Sequence, residues 1–302
     1  MNKKVFFGVF GGVLAFLLII AIAVYGVIWS SLSDICGTLE VEGLEEDYNK
    51  VVNVLLVGVD GGETRTDTLM LVSMNMENKS VSLLSIPRDT RIMYNGGWDK
   101  ITHLYSYDKS GQLTINTVKE ITGADINYVA IINFNGFSKA IDELGGVDIV
   151  VPDMGNGGMY YKDPAQGLDI ALPAGPQHLN GEQAQGFVRF RSGYANADLG
   201  RVETQRYFIQ ELVKQKLNAK NITKVPAVIN ALEGDLRTNY GCDDIIAQMT
   251  KMIGMDSQNI NSYTLPGRSG MASTRYGTLS CFTYNDAETK ELVKQHFSDV
   301  ED

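Results

Sequence analysis

From Val5 to Trp29 the chain carries no charged side chain, and this run limits the architecture more than any other feature. At about 1.5 Å per residue, a helix of that length crosses a hydrocarbon core of about 30 Å. It is apolar on every face, unlike an amphipathic core helix, and Tyr25 and Trp29 suit a membrane–water interface. A cleaved signal peptide would have an apolar region of about 7–15 residues and a small-residue cleavage site, neither of which is evident. Lys3 and Lys4 precede the run, whereas Asp34, Glu40, Glu42, Glu45, Glu46 and Asp47 follow it. By the positive-inside rule, residues 1–4 are expected in the cytoplasm, 5–29 as a transmembrane anchor, 30–49 as an acidic extracytoplasmic linker and 50–302 as one extracytoplasmic domain.

Beyond the anchor, the length suits a single large α/β unit. The formal charge is −10, and without Lys3 and Lys4 the outer part reaches −12, which argues against a nucleic-acid partner. Cys36, Cys242 and Cys281 make no disulfide framework for a chain this long. Cys242 and Cys281 either pair in an oxidising compartment or stay as buried thiols.

Val51–Val59, Thr68–Asn75 and Val81–Ile86 read as three successive strands from their apolar, β-branched composition. Helical spacing follows over Leu113–Ile121, then a strand over Tyr128–Asn133, an amphipathic helix over Phe134–Leu144 and a strand over Val147–Val151. This alternation predicts an α/β fold. Pro152–Gly181 is rich in glycine and proline and reads as a long loop with at most a short hairpin. Helices are expected from Gly181 to Phe187 and from Leu199 to Leu217, the latter capped by Asp198. The remainder predicts two or three helices and a strand near Tyr263.

No GxxxxGK[ST] loop, HExxH, GxSxG or CxxC occurs, and His103, His178 and His296 lie far apart in sequence. Three other constellations carry chemistry. Asp60 and Asp67 bracket a glycine-bearing loop between two strands; their hard oxygens suit Mg²⁺, and the alternative is a polar turn. Pro87 ends the third strand and directs Arg88 and Asp89 toward the carboxyl edge of the sheet, where open α/β folds bind ligands; a structural Arg–Asp pair is the other reading. Arg189, Arg191, Arg201 and Gln205 gather in one short interval of an acidic protein. Arg201 and Gln205 share a helix face, which favours binding of a phosphate or diphosphate over a solvated basic face.

Together these stretches resemble the LytR-CpsA-Psr family of bacterial membrane-anchored phosphotransferases. The resemblance rests on Asn53–Asp60, Arg65–Met70, Ser85–Asp89, Lys100–His103, Phe137–Val151 and Arg189–Gln205, in the family's order and behind its kind of anchor. It implies a mixed central β-sheet sandwiched between α-helices, with an apolar tunnel for a lipid tail. It also implies transfer of a glycopolymer (teichoic acid, capsular or related wall polysaccharide) from a polyprenyl diphosphate carrier to peptidoglycan, in the membrane of a Gram-positive-type bacterium. By the same resemblance Asp60 and Asp67 are the Mg²⁺ ligands, and Arg65, Arg88, Arg189, Arg191, Arg201 and Gln205 the pyrophosphate-binding set. Asp60, Arg88 and Arg201 are the residues expected to be catalytic, with the base open among Asp60, Asp67 and Asp89. Two departures are visible: a short Asp60–Asp67 loop, and Thr204 where the family commonly has arginine. The alternatives are a hydrolase of the same lipid diphosphate and a non-catalytic lipid-binding or regulatory protein.

Overall fold

Val51–Val59 (β1) is apolar on both sides and therefore needs cover on both faces, which makes it a central strand. In the computed structural model, which describes residues 35–45, 50–60, 62, 64–164, 167–190, 192, 197–218, 221 and 223–298, it lies third in a six-stranded sheet. Thr66–Asn75 (β2) and Ser80–Ile86 (β3) follow it as an antiparallel meander. Tyr128–Asn133 (β6) adds in parallel to β1, Ile260–Thr264 (β12) in parallel to β3, and Leu236–Thr238 (β11) closes the far edge antiparallel to β6. Consequently β1, β3, β6 and β12 all end at one edge, and β2 begins there.

Alternation along the strands sorts the two faces. Leu55, Val57, Leu69, Leu71, Leu84 and Ile86 pack with Ile115, Val118 and Ile121 of Gln112–Thr122 (α2) and Val293 of Asp286–His296 (α8). On the opposite face, Met70, Val81 and Leu83 meet Ile209 and Val213 of Ala197–Lys216 (α5). Val52 and Val54 pack with Tyr240 and with Ile245 of Cys242–Lys251 (α7). The α–β–α arrangement expected from the sequence is therefore present. The anchor at 5–29 lies outside the described residues, among which no helix is long and apolar enough to cross a membrane.

Pro152–Gly181 departs from the loop expectation. It forms the hairpin Gly158–Asp163 (β8) and Leu168–Pro173 (β9), then Gly175–Leu179 (β10) paired with Val147–Val151 (β7). In β9, Leu168, Ile170 and Leu172 are buried while Asp169, Ala171 and Pro173 are exposed, so a period-2 signal lay beneath the turn residues. These strands pack on Phe187 and Phe190 and on Phe208 of α5. The last quarter also holds a ribbon that the sequence reading did not foresee, Gly267–Thr274 (β13) with Gly277–Tyr284 (β14).

The cysteines are paired differently from the expectation. Cys36 is bonded to Cys242, and Cys281 is free and buried on β14. Part of the stretch expected as linker lies against the domain: Gly37 and Leu39 donate backbone hydrogen bonds to Tyr240 and Thr238, and Ile35, Cys36 and Leu39 are buried. Cys281 instead adjoins Phe282, which forms a β-bridge with Thr90.

Gly181 opens the helix Gly181–Arg189 (α4), capped by Asn180 and Gln183 in a capping box. Its backbone approaches Phe134–Glu143 (α3) so closely that an added Cβ would lie 2.1 Å from the Ser138 carbonyl oxygen and 2.7 Å from Asp142 Oδ2. Gly181→Ala should therefore force α3 and α4 apart, at a cost of at least about 1–3 kcal/mol. Thermal unfolding of the two proteins measures this, and an unchanged Tm would contradict the packing.

Candidate functional site

The shared end of β1, β3, β6 and β12 collects the polar residues expected to carry chemistry. Asp60 leaves β1 and closes the loop back to β2. Its Oδ1 accepts from the Thr64 amide at 2.5 Å and the Arg65 amide at 3.3 Å, and its Oδ2 from Thr64 Oγ1 at 2.6 Å. Arg65 is exposed on this loop. Val59 pairs with Thr66 and Gly58 with Thr68, so Asp67 is the extra residue of a β-bulge. A bulge re-aims its side chain, and Asp67 here accepts from Arg88 Nη1 at 2.5 Å.

Arg88 itself sits in the turn that ends β3. The Thr90 amide donates to the Pro87 carbonyl at 3.0 Å, the Thr102 amide to the Arg88 carbonyl at 3.1 Å, and Thr102 Oγ1 to the Thr66 carbonyl at 2.6 Å. Backbone clamps from two neighbours thus fix the arginine, and the Arg88–Asp67 pair keeps only 22% and 15% of its side-chain surface exposed. Asp89 is held by Lys100 Nζ at 2.7 Å.

Behind this rim, between the sheet and α3, α4 and α5, lies an apolar cavity of about 110 Å³. Its lining includes Gly58 and Thr68, beside the two aspartates, and Val188 and Gln205 from the helices; Leu56, Met70, Phe137 and Phe208 also line it. A second apolar cavity of about 250 Å³, lined by Val72, Met74, Leu212 and Val213, continues along the same helix and sheet face. Arg189 is stacked on Phe134 at 4.2 Å and donates to Gln185 Oε1 at 3.2 Å, while Gln205 Nε2 donates to the Val188 carbonyl at 3.1 Å. The cavity therefore adjoins Asp60 and Asp67 in sequence through Gly58 and Thr68, with Arg88 paired to Asp67, and it adjoins Arg189 through Phe134 and Val188, while Gln205 lines it directly. Arg191 and the side chain of Arg201 lie outside the described residues, although α5 includes position 201. Arg206 points elsewhere: it donates to the Ser262 carbonyl and Thr264 Oγ1, tying α5 to β12.

Sequence reasoning passed over Asp99. It is fully buried in Gly97–Lys100 (β5), accepts from His103 Nδ1 at 2.6 Å, the Lys100 amide at 2.8 Å and Tyr107 OH at 2.9 Å, and forms an ion pair with Arg275 Nε at 3.2 Å. Burial alone would raise its pKa, but the hydrogen bonds from His103, Lys100 and Tyr107 outweigh it and hold the carboxyl below its ordinary 3.8. A carboxyl depressed on folding stabilises above that value and loses its contribution as pH falls through the folded pKa. Asp99→Asn should therefore lower Tm at pH 7 and flatten the acid limb below about pH 4, as read from thermal melts across pH. An acid limb unchanged from the parent protein would contradict this.

Among the described residues no group of three or more His, Cys, Asp or Glu side chains could hold a metal. Mg²⁺ needs fewer protein ligands, since it takes one or two carboxylates and completes its shell with water and phosphate oxygens. Asp60 and Asp67, at adjoining strand ends, fit that chemistry.

Comparison with known proteins places this geometry. The model of the LytR_cpsA_psr family matches residues 31–298. The polyisoprenyl-teichoic acid–peptidoglycan teichoic acid transferase TagU of Bacillus cereus is 29% identical over 283 residues, covering 88% of this chain and 89% of that protein. The crystal structure of Bacillus subtilis TagV is similar with a TM-score of 0.70 at 25% identity, covering 84% of this chain and 100% of that one. A structure of TagT bound to LI-WTA is similar with a TM-score of 0.68 at 27% identity, covering 86% and 95%.

Proposed function

The chain belongs to the LytR-CpsA-Psr family, and from that premise we propose that it is a transferase moving a teichoic acid or related wall glycopolymer from a polyprenyl diphosphate carrier to peptidoglycan. One observation carries the reading: a cavity with an apolar lining opens beside a fixed arginine at the carboxyl edge of the sheet. A ligand complementary to both is an amphiphile with a long apolar tail and an anionic head. Polyprenyl diphosphate has that form, and the TagU and TagV names support it.

In the reaction a sugar hydroxyl of peptidoglycan attacks the sugar-linked phosphorus of the donor. A new phosphorus–oxygen bond forms, the bond from that phosphorus to the bridging oxygen breaks, polyprenyl phosphate leaves, and the hydroxyl proton passes to a rim carboxylate. Arg88, fixed before the donor arrives, supplies positive charge where negative charge gathers on the leaving group. Arg65, Arg189, Arg191, Arg201 and Gln205 complete the diphosphate set in this reading. Asp60 and Asp67 would hold Mg²⁺, which when bound supplies charge neutralisation to the phosphate oxygens. Residues 5–29 would hold the domain at the membrane that delivers the donor.

Product analysis with labelled lipid-linked polymer, peptidoglycan and Mg²⁺ tests the proposal. Glycan-linked label with polyprenyl phosphate released is the expected result. Free polymer would mean a hydrolase, and binding without turnover a lipid-binding module; either outcome overturns it. The cavity makes a narrower prediction. Val188→Trp fills its lining, so the KM for a long-chain donor should rise at least about tenfold, while a short-chain donor is little affected. Equal effects on the two donors would place the tail elsewhere.

A further inference from the structure

A second cavity, of about 320 Å³, lies away from the lipid side of the sheet and takes no part in the account above. It is enclosed by Arg91–Tyr94 (β4), β5, α2, the end of β14 and the start of α8, and its lining mixes polar with apolar groups. Trp98 and Tyr284 supply aromatic surface, Arg91 a guanidinium, and Glu120 and Asp286 carboxylates. Arg91 stacks on the Trp98 ring at 3.8 Å and donates through Nε to the Ser273 carbonyl at 3.1 Å, so indole and guanidinium are held as one unit. Trp98 nonetheless remains 41% exposed.

We propose that this cavity is a saccharide-binding subsite for the acceptor glycan, an inference that rests on the transfer reaction proposed above. A pyranose ring presents an apolar C–H face and a rim of hydroxyls. Aromatic rings complement the first, and planar carboxylate and guanidinium groups, which accept or donate two hydrogen bonds each, complement the second. The charge balance selects the acceptor over the donor. Arg91 faces Glu120 and Asp286, and Asp286 is itself paired with Lys290 at 3.0 Å, so the cavity holds no excess of positive charge, which gives a phosphate-rich polymer no advantage and suits a hydroxyl-rich one. Position also fits. Arg91 follows Arg88 by three residues, a span of at most about 10 Å in extended chain, so a glycan seated here runs toward the turn where transfer takes place.

The protein carries its own reporter, because Trp29 and Trp98 are its only tryptophans. In the full-length chain with Trp29→Phe, kept in detergent, a β-1,4-linked N-acetylglucosamine tetrasaccharide should give a saturable change in Trp98 emission. Glu120→Gln combined with Asp286→Asn, both at the surface, should weaken that binding at least about tenfold. The same pair should raise the KM for peptidoglycan while leaving kcat and the KM for lipid-linked donor within about twofold. No saturable change with the Trp29→Phe protein, or an acceptor KM unmoved by the double substitution, overturns the subsite. The titration needs no turnover, so the two proposals fail separately: transfer without saccharide binding removes the subsite alone, and saccharide binding without any transfer removes the transferase reading.

Discussion

Arg88→Ala should reduce the rate of polymer transfer about 10²–10³-fold, the loss typical when a preorganised transition-state donor is removed. The size of the effect follows from how the side chain is held. Asp67 fixes the guanidinium, and the Arg88 backbone is clamped through Thr102 and the Pro87 turn, so little reorganisation is needed as the leaving group gathers charge. Arg88→Lys should recover only part of the loss, because an ammonium lacks the planar fork that meets phosphate oxygens in pairs. Initial rates under saturating donor measure this, with circular dichroism to confirm folding. Activity within threefold of the parent protein for Arg88→Ala would remove Arg88 from the reaction.

Cys36→Ser should lower Tm by on the order of 10 °C. The disulfide to Cys242 closes a loop of sequence separation 206, and loss of a native bond commonly costs about 2–5 kcal/mol, the longer loops toward the upper end in the chain-entropy account. Contacts around it make the loss local as well as global. Ile35 and Cys36 pack with Val225, Ile229 and Cys242, and residues 37 and 39 hydrogen-bond to Tyr240 and Thr238. Reductant should shift the parent protein to the same Tm and leave Cys36→Ser unmoved. A Tm insensitive to both the substitution and reductant would contradict the bond's role.

The central sheet was legible because its strands are covered on both faces: runs such as Val51–Val59 admit few other readings. Amphipathic helices with clear stops, such as Phe134–Glu143 before Gly145-Gly146, were legible for the same kind of reason. Hidden elements were those whose burial is one-sided or slight. In β9 every second residue faces water, and β13 is exposed along most of its length, so glycine and proline at the turns dominated the local pattern. The hairpin turn at Asn95-Gly96 did carry a readable signal. Both residues have positive φ, as a two-residue turn between right-twisted strands requires, and Asn-Gly is its preferred sequence.

At the site, the arginines and aspartates could be named from sequence, but not which of them meet. The bulge that turns Asp67 toward Arg88 depends on a one-residue register shift that no spacing reveals. Asp99 was missed because a single aspartate between Trp98 and Lys100 looks like a turn residue until its three donors and its ion pair with Arg275 are seen. The Cys36–Cys242 bond was missed because sequence cannot tell that the chain before Val51 returns to pack beside α7.

The most direct measurement is a crystal structure of the full-length protein with a polyprenyl diphosphate-linked saccharide. The account predicts the tail between α5 and the sheet, against Leu56, Met70 and Phe208, and the diphosphate at the β1–β3 edge within hydrogen-bond distance of Arg88. A tail outside that cavity, or a diphosphate out of reach of Arg88, would contradict it.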